Sequence, residues 1–378
     1  MLLPRPTSGA RAASATLGIL KRFEAIDAAA RAAPRTLLVC NLGVPSQELH
    51  QLRDSPRNFY MLGSMGLASS IGVGLAAGGT RPVVVLDGDG SVLMNLGTLA
   101  TIAVERPARL TLVVLDNHVY GSTGSQPTAT ARGVDLAAMA RAAGILSVHE
   151  VSAEPELEAR LGDCLRTPGP HVILAHVEAG EMEVQVIPLA PDEIRARFSG
   201  EARTPPGVPA APRPAGPSRA DELAFGMVRA GADLACSVPC SSLMPLLEAL
   251  VRLGVPHLGV TREEEGVGVC AGAQLAGRTP VLLMQNTGLG NSLNALATLP
   301  VLYRMPLVML MEHRGLPGER ISAQLPMGEQ APGYLETAGI PAFTVSRPEE
   351  LDLIPRLVGH ARLAQRPVAA LVAPGAWR

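Results

Sequence analysis

A chain of 378 residues exceeds one ordinary core and accommodates two, because single domains usually run to about 100–200 residues. With 47% hydrophobic and 17% charged residues, and only 3% aromatics, it describes a compact protein with an aliphatic core and excludes extensive disorder. A formal net charge of −2, scattered along the chain, offers no basic stripe for nucleic-acid phosphates or an anionic membrane, which leaves a small molecule as the expected ligand.

The opening residues, MLLPRPTSGARAASA, lack an apolar stretch of signal-peptide length and read as a leader before a helix. No later window reaches the apolar length of a membrane span. The five cysteines, an odd number inside apolar runs, are expected as reduced thiols in a cytoplasmic protein. Cys236 and Cys240 lack the second ligand pair that a zinc site requires.

From Thr36 onward, TLLVC, RPVVVLDGDG, LTLVVLDN, ILSVHEVS and PHVILAHVEAG read as strands buried on both faces. Helical period between them, in VLMNLGTLATIAVER and VDLAAMARAAG, predicts βαβ units and a first domain over residues 1–189. Residues 190–218, rich in Pro, Ala and Gly and without an apolar period, are expected as a semi-extended linker. The alternation resumes over 219–378 with DLACSVP, HLGVT, TPVLLMQN, PLVMLMEH, AFTVS and PVAALVAPG. The expected fold is α/β: two Rossmann-like domains with parallel sheets flanked by helices and no obvious sequence repeat between them. Fold alone assigns no function.

The sharpest local signal is Gly88-Asp89-Gly90-Ser91, which closes one strand and opens a helix. Flanking glycines let the backbone approach a diphosphate, and a helix start supplies free N–H donors. Asp89 and Asn117 end neighbouring strands, at the crevice where open α/β sheets bind ligands, and could share the protein side of a Mg²⁺ shell. Taken alone, a Gly-Asp-Gly turn is equally a simple strand terminator.

The run from Gly88 to Gly121 resembles the thiamine-diphosphate fingerprint, a GDG followed by an Asn pair and a Tyr-Gly, here Asp116-Asn117 and Tyr120-Gly121, with Asp replacing the first Asn. The resemblance implies thiamine diphosphate and Mg²⁺ as cofactors, with Asp89, the Asn117 side chain and the Val119 carbonyl as metal ligands. It also implies that Gly63-Ser64-Met65 meets the aminopyrimidine, Met65 being the wedge that bends the cofactor and the Gly63 carbonyl an acceptor for its exocyclic nitrogen. A carboxylic group must then face the pyrimidine ring, and the second half offers Glu263-Glu264-Glu265 ahead of a small-residue helix. In related enzymes the catalytic Glu precedes a Gly by two positions, which selects Glu264, with Glu263 or Glu265 as fallback; the remaining two would serve the helix macrodipole.

Nearly the whole chain resembles the sulfopyruvate decarboxylase family, usually built of separate α and β subunits. Residues 36–180 (CNLGVPSQEL, NFYMLGSMGLASSIG, YGSTGSQPT) look like β, and residues 219–378 (SVPCSSLMPLL, TREEEGVGVCAGAQLAG, LLMQNTGLGNSLNALATL, MEHRGLPGERISAQLPMG) look like α. Cys240 stands where Asp is usual. The resemblance implies decarboxylation of a small anionic 2-oxo acid, 3-sulfopyruvate, to sulfoacetaldehyde and CO2, in a homodimer or a multiple of one with sites between domains. Phosphonopyruvate decarboxylase, giving phosphonoacetaldehyde, is the alternative, since it shares the plan and the QN-x-G-x-GN segment. A non-catalytic cofactor-binding module would lack the metal pair or the glutamate, and an acetolactate-synthase-like carboligase would need a third domain. For the substrate, His313, Arg314 and Arg320, and Gln285, Asn286 and Asn291 around NTGLGN, are candidates; surface charge and a purely structural turn compete with them.

Overall fold

The computed structural model describes residues 20–180, 182–204 and 218–377, so the expected leader lies outside the described residues. The first half contains β1 (Leu37–Cys40), β2 (Asn58–Tyr60), β3 (Val83–Gly88), β4 (Leu110–Asp116), β5 (Val119–Tyr120), β6 (Gln126–Pro127), β7 (Ser147–Val151) and β8 (His171–His176). The second contains β9 (Leu234–Ser237), β10 (His257–Gly259), β11 (Pro280–Gln285), β12 (Leu307–Glu312), β13 (Ala342–Val345) and β14 (Pro367–Val372). Two six-stranded sheets result, ordered β2-β1-β3-β4-β8-β7 and β10-β9-β11-β12-β14-β13, and every pairing within them is parallel. The α/β reading with two parallel sheets holds.

Renumbered within each half, both sheets run 2-1-3-4-6-5, so the halves share a topology that their sequences do not display. The central strands are buried except for Gly88 and Gln285 at the ends of β3 and β11, as their unbroken Val and Leu runs require. The short β2 was not among the expected strands: three residues are too few to show a period.

The 190–218 segment differs from expectation. It opens with a helix, Pro191–Ala202, in which Ile194, Phe198 and Ala202 are buried. Their spacing of four puts them on one helical face, a pattern thin enough to be masked by the polar residues between them. Residues 205–217 lie outside the described residues. No helix among the described residues is long and apolar enough to cross a membrane.

The halves meet along two helices, Ala68–Gly78 and Glu263–Leu275, both studded with Gly and Ala. The approach is backbone to backbone. A Cβ on Gly74 would lie 1.9 Å from the Val269 carbonyl oxygen, and one on Gly272 would lie 2.0 Å from that of Ile71. Neither obstacle is a movable side-chain tip, so the helices would have to separate. Gly359, in the helix Leu353–Ala364, has open space beside it. Gly272→Ala is therefore expected to lower stability by about 1–3 kcal/mol, whereas Gly359→Ala should raise it by about 0.5–1 kcal/mol. Urea unfolding of both variants checks the contrast.

Candidate functional site

The cleft at the C-terminal edge of the first sheet opens above the neighbouring strands β1 and β3, the switch point of a 2-1-3-4 order. Asn41 and Leu42 after β1, Gly88 to Ser91 after β3, and Asn117 with Val119 to Thr123 after β4 line it, with Met65 on one wall. Met65, Gly88, Asp89, Gly90, Ser91, Asn117, Val119, Tyr120 and Gly121, expected from distant stretches, are thus brought together. The helix that Gly88 opens, Asp89–Met94, is only six residues long, so its free N–H groups matter more than its dipole.

Local geometry fixes each side of the cradle. A Cβ on Gly90 would lie 2.3 Å from the Tyr120 ring, so only glycine lets that ring cover the turn. Ser91 Oγ accepts from the Gly66 N–H at 3.0 Å and ties the GDG turn to the Gly63–Gly66 segment. Ser64 adopts a left-handed φ of 58°, strained for a residue with a Cβ, and its hydroxyl pairs with Thr298 of the second half at 2.7 Å. The Leu62 N–H donates to the Tyr303 hydroxyl at 2.8 Å, which in turn donates to the Tyr60 carbonyl at 2.9 Å. The second half thereby clamps the segment that holds Met65.

Asp89 is buried, with Oδ2 accepting from the hydroxyls of Thr128 (2.5 Å) and Thr130 (2.9 Å). Thr130 also contacts Asp116 Oδ1 at 2.8 Å, so two buried carboxylates share one hydroxyl. Burial, joined by the nearby Asp116 charge, pushes the Asp89 carboxyl up despite these donors. A divalent cation would reverse that cost, and with the glycine-lined turn beside it the site fits a metal-bound diphosphate. Asp87, wholly buried and accepting from Ser69 Oγ at 2.9 Å and the Gly88 N–H at 3.0 Å, is pushed up to about 6 by burial.

Sequence reasoning missed the threonine pair, Asn41, and Arg22. Arg22 lines the cleft and is held by a buried bidentate pair with Glu48, both contacts 2.9 Å. No local pattern links residues 26 positions apart; Thr128 and Thr130 sat within reach of the fingerprint but outside its named positions.

The three glutamates part ways. Glu263 accepts from Asn291 Nδ2 at 3.0 Å and lies against Gly288, where a Cβ would fall 2.2 Å from its carboxyl carbon. Glu264 is paired with Arg262 at 3.2 Å, and Glu265 is fully buried, accepting from the Thr261 N–H (2.7 Å) and hydroxyl (2.6 Å). Neither Glu263 nor Glu265 is therefore a mere decoration of the helix start. None of them lines the cleft around Asp89, whose lining comes wholly from residues 22–123.

The substrate candidates are also divided. Asn286 is fully buried, donating to the carbonyls of Arg314 and Met327 and accepting from the Arg314 N–H, so its amide is spent on pinning the 314–327 loop. His313 is buried, with Nε2 at 3.0 Å from the Gly328 carbonyl, and Arg314 is held bidentately by Glu319 at 2.8 and 2.9 Å. Structural duty takes up the Asn286 and Arg314 side chains, whereas His313 Nδ1 is buried without a partner. Gln285 is partly buried at the end of β11, Asn291 faces Glu263, and Arg320 is exposed. Cys240 donates to the buried Glu312 at 2.7 Å, and burial first, then Glu312, raises its thiol pKa.

Residues 42–175 match the family model of the thiamine pyrophosphate enzyme C-terminal TPP-binding domain. The chain is 46% identical over 185 residues, 49% of its length, to the sulfopyruvate decarboxylase subunit beta of Methanothermobacter thermautotrophicus, covering 97% of that protein. It is also 44% identical over 154 residues, 40% of its length, to subunit alpha from the same organism, covering 93% of it. With the phosphonopyruvate decarboxylase of Streptomyces viridochromogenes it shares 40% identity over 197 residues, 52% of this chain and 49% of that one. Among solved structures, benzoylformate decarboxylase from Polynucleobacter necessarius shares the fold, with a TM-score of 0.58 at 15% identity over 94% of this chain and 98% of that one. With both kinds of subunit matched over nearly their full lengths and a metal-diphosphate cradle at the switch point, this chain is a thiamine-diphosphate-dependent decarboxylase of the sulfopyruvate decarboxylase family.

Proposed function

We propose that the protein decarboxylates 3-sulfopyruvate to sulfoacetaldehyde and CO2, and that it does so as a homodimer, or a multiple of one, in which each site is shared between chains. What carries the reading is the pairing of β-like and α-like matches in one polypeptide, together with a cradle that one half builds alone. A phosphonopyruvate substrate is the second reading, favoured by the 40% identity to a decarboxylase of that name.

Bound thiamine diphosphate supplies the electron sink for the bond to the departing carboxylate. This chain's residues do the rest. Asp89, the Asn117 side chain and the Val119 carbonyl hold Mg²⁺; Gly88, Gly90, Ser91, Tyr120 and Gly121 enclose the diphosphate; Gly63, Ser64 and Met65 support the pyrimidine ring. The carboxyl group that would hold a proton for that ring is Glu264, two positions before Gly266, with Glu263, which accepts from Asn291 Nδ2 at 3.0 Å, as the fallback. Gln285 and Arg320 remain as contacts for the anionic substrate.

Since no glutamate of the second half lines the Asp89 cleft, the partner chain's copy completes it, and mixing variants tests this. Asp89→Asn and Glu264→Gln proteins, inactive separately, should regain about a quarter of wild-type activity after mixed refolding. Half of the dimers would be hybrid, each with one intact site. A mixture as inactive as its parts would place the whole site within one chain.

Glu264→Gln should lower kcat for sulfopyruvate by about 10²–10⁴-fold, and Glu263→Gln by far less. The reverse order would move the role to Glu263, and turnover of phosphonopyruvate in preference to sulfopyruvate would change the substrate but not the chemistry. Thr130→Val removes a donor to Asp89 and should weaken Mg²⁺-dependent cofactor binding by about 1.5–3 kcal/mol, read by calorimetry.

A further inference from the structure

Beside the magnesium position, three side chains that are not among its ligands converge. Asp116 ends β4, His176 ends β8, and the two are register partners on neighbouring strands. His118 lies just beyond β4 with a left-handed φ of 63°, an uncommon conformation for a residue with a Cβ and one that concentrates at functional sites. In this conformation its Nδ1 stands 3.1 Å from Asp116 Oδ1 and 2.9 Å from the Thr130 hydroxyl, a hydrogen bond that a bound ion would replace. One nitrogen or oxygen from each of Asp116, His118 and His176 lies within 4.8 Å of the others.

Donors about 2.0–2.2 Å from a shared ion stand roughly 3–4 Å apart, so small rotations of two half-exposed imidazoles close the set. Access is open: the His118 and His176 side chains are 48% and 39% exposed, while Asp116 is buried. Glu150, 3.4 Å from His176 Nε2, adds a carboxylate at the rim. Asp116 Oδ1 already accepts from the Thr130 hydroxyl and the His118 backbone N–H, but a carboxylate has about four acceptor positions. Two imidazoles with a carboxylate suit Zn²⁺, Co²⁺ or Ni²⁺, in contrast to the oxygen ligands preferred by Mg²⁺.

We propose that Asp116, His118 and His176 form a second metal site, selective for a transition-metal ion of the zinc type, next to the Asp89–Asn117 magnesium position. The proposal rests on those two residues being the magnesium ligands and not on the identity of the substrate.

The test uses the holoenzyme, saturated with thiamine diphosphate and excess Mg²⁺, titrated with Co²⁺ by visible absorption and with Zn²⁺ by calorimetry. The five cysteines are buried and offer no ready competing ligand. About one ion per chain should bind with the intense bands of a nitrogen-ligated, low-coordinate Co²⁺ centre. His176→Ala should weaken it at least about ten-fold, and the double variant His118→Ala/His176→Ala should abolish it. Absence of such a spectrum, or an affinity unchanged in His176→Ala, overturns the proposal. His176 lies off the 117–123 turn, so cofactor binding by His176→Ala is measured alongside. Loss of cofactor and Co²⁺ together would mark a structural role and equally overturn the metal site.

Discussion

Contact between two backbones, at Gly74 against Val269 and Gly272 against Ile71, is the constraint on which the rest of the molecule depends. Each helix follows directly on a functional segment: Ala68–Gly78 follows the Met65 turn, and Glu263–Leu275 begins with the glutamate triplet. A close approach with no side chain between the backbones at these two points leaves little freedom to slide. The positions of the Met65 turn and of the glutamates are therefore set by one shared packing plane. Thr298 and Tyr303 reinforce it by reaching from the second half to Ser64 and Tyr60.

Within that frame the first half concentrates negative charge. Asp87, Asp89 and Asp116 are all buried near one strand edge, and each is supplied with hydroxyl donors, from Ser69, Thr128 and Thr130. Hydroxyls soften the cost of burying a carboxylate without cancelling its charge, which leaves the edge electrostatically suited to cations. The Arg22–Glu48 pair, by contrast, is internally neutralised. It contributes shape to the cleft and little net field.

The α/β class, the strands that form most of both sheets and the GDG-to-YG cradle were legible because each is a local pattern: continuous apolar runs, or glycines flanking an acid. What was not legible depended on contacts between distant positions. The triplet Glu263-Glu264-Glu265 carries no internal mark of which carboxylate meets Asn291, which meets Arg262 and which is buried under Thr261. Asn286, His313 and Arg314 looked like ligands for a substrate because they are polar residues after strand ends. Their partners at Met327, Gly328 and Glu319 are set by a loop whose path no period encodes. The helix Pro191–Ala202 was hidden for a related reason, since three apolar residues bury its face in a segment dominated by Pro, Ala and charge.

Each sheet is assembled from one unbroken stretch of chain, 37–176 for the first and 234–372 for the second, and among the described residues no strand crosses between them. Covalent linkage is therefore unnecessary for either fold, and what it fixes is stoichiometry. A fused chain is made with its halves in equal number and holds them at the high effective concentration of a tethered pair. Separately produced subunits would have to achieve both through balanced expression and binding affinity.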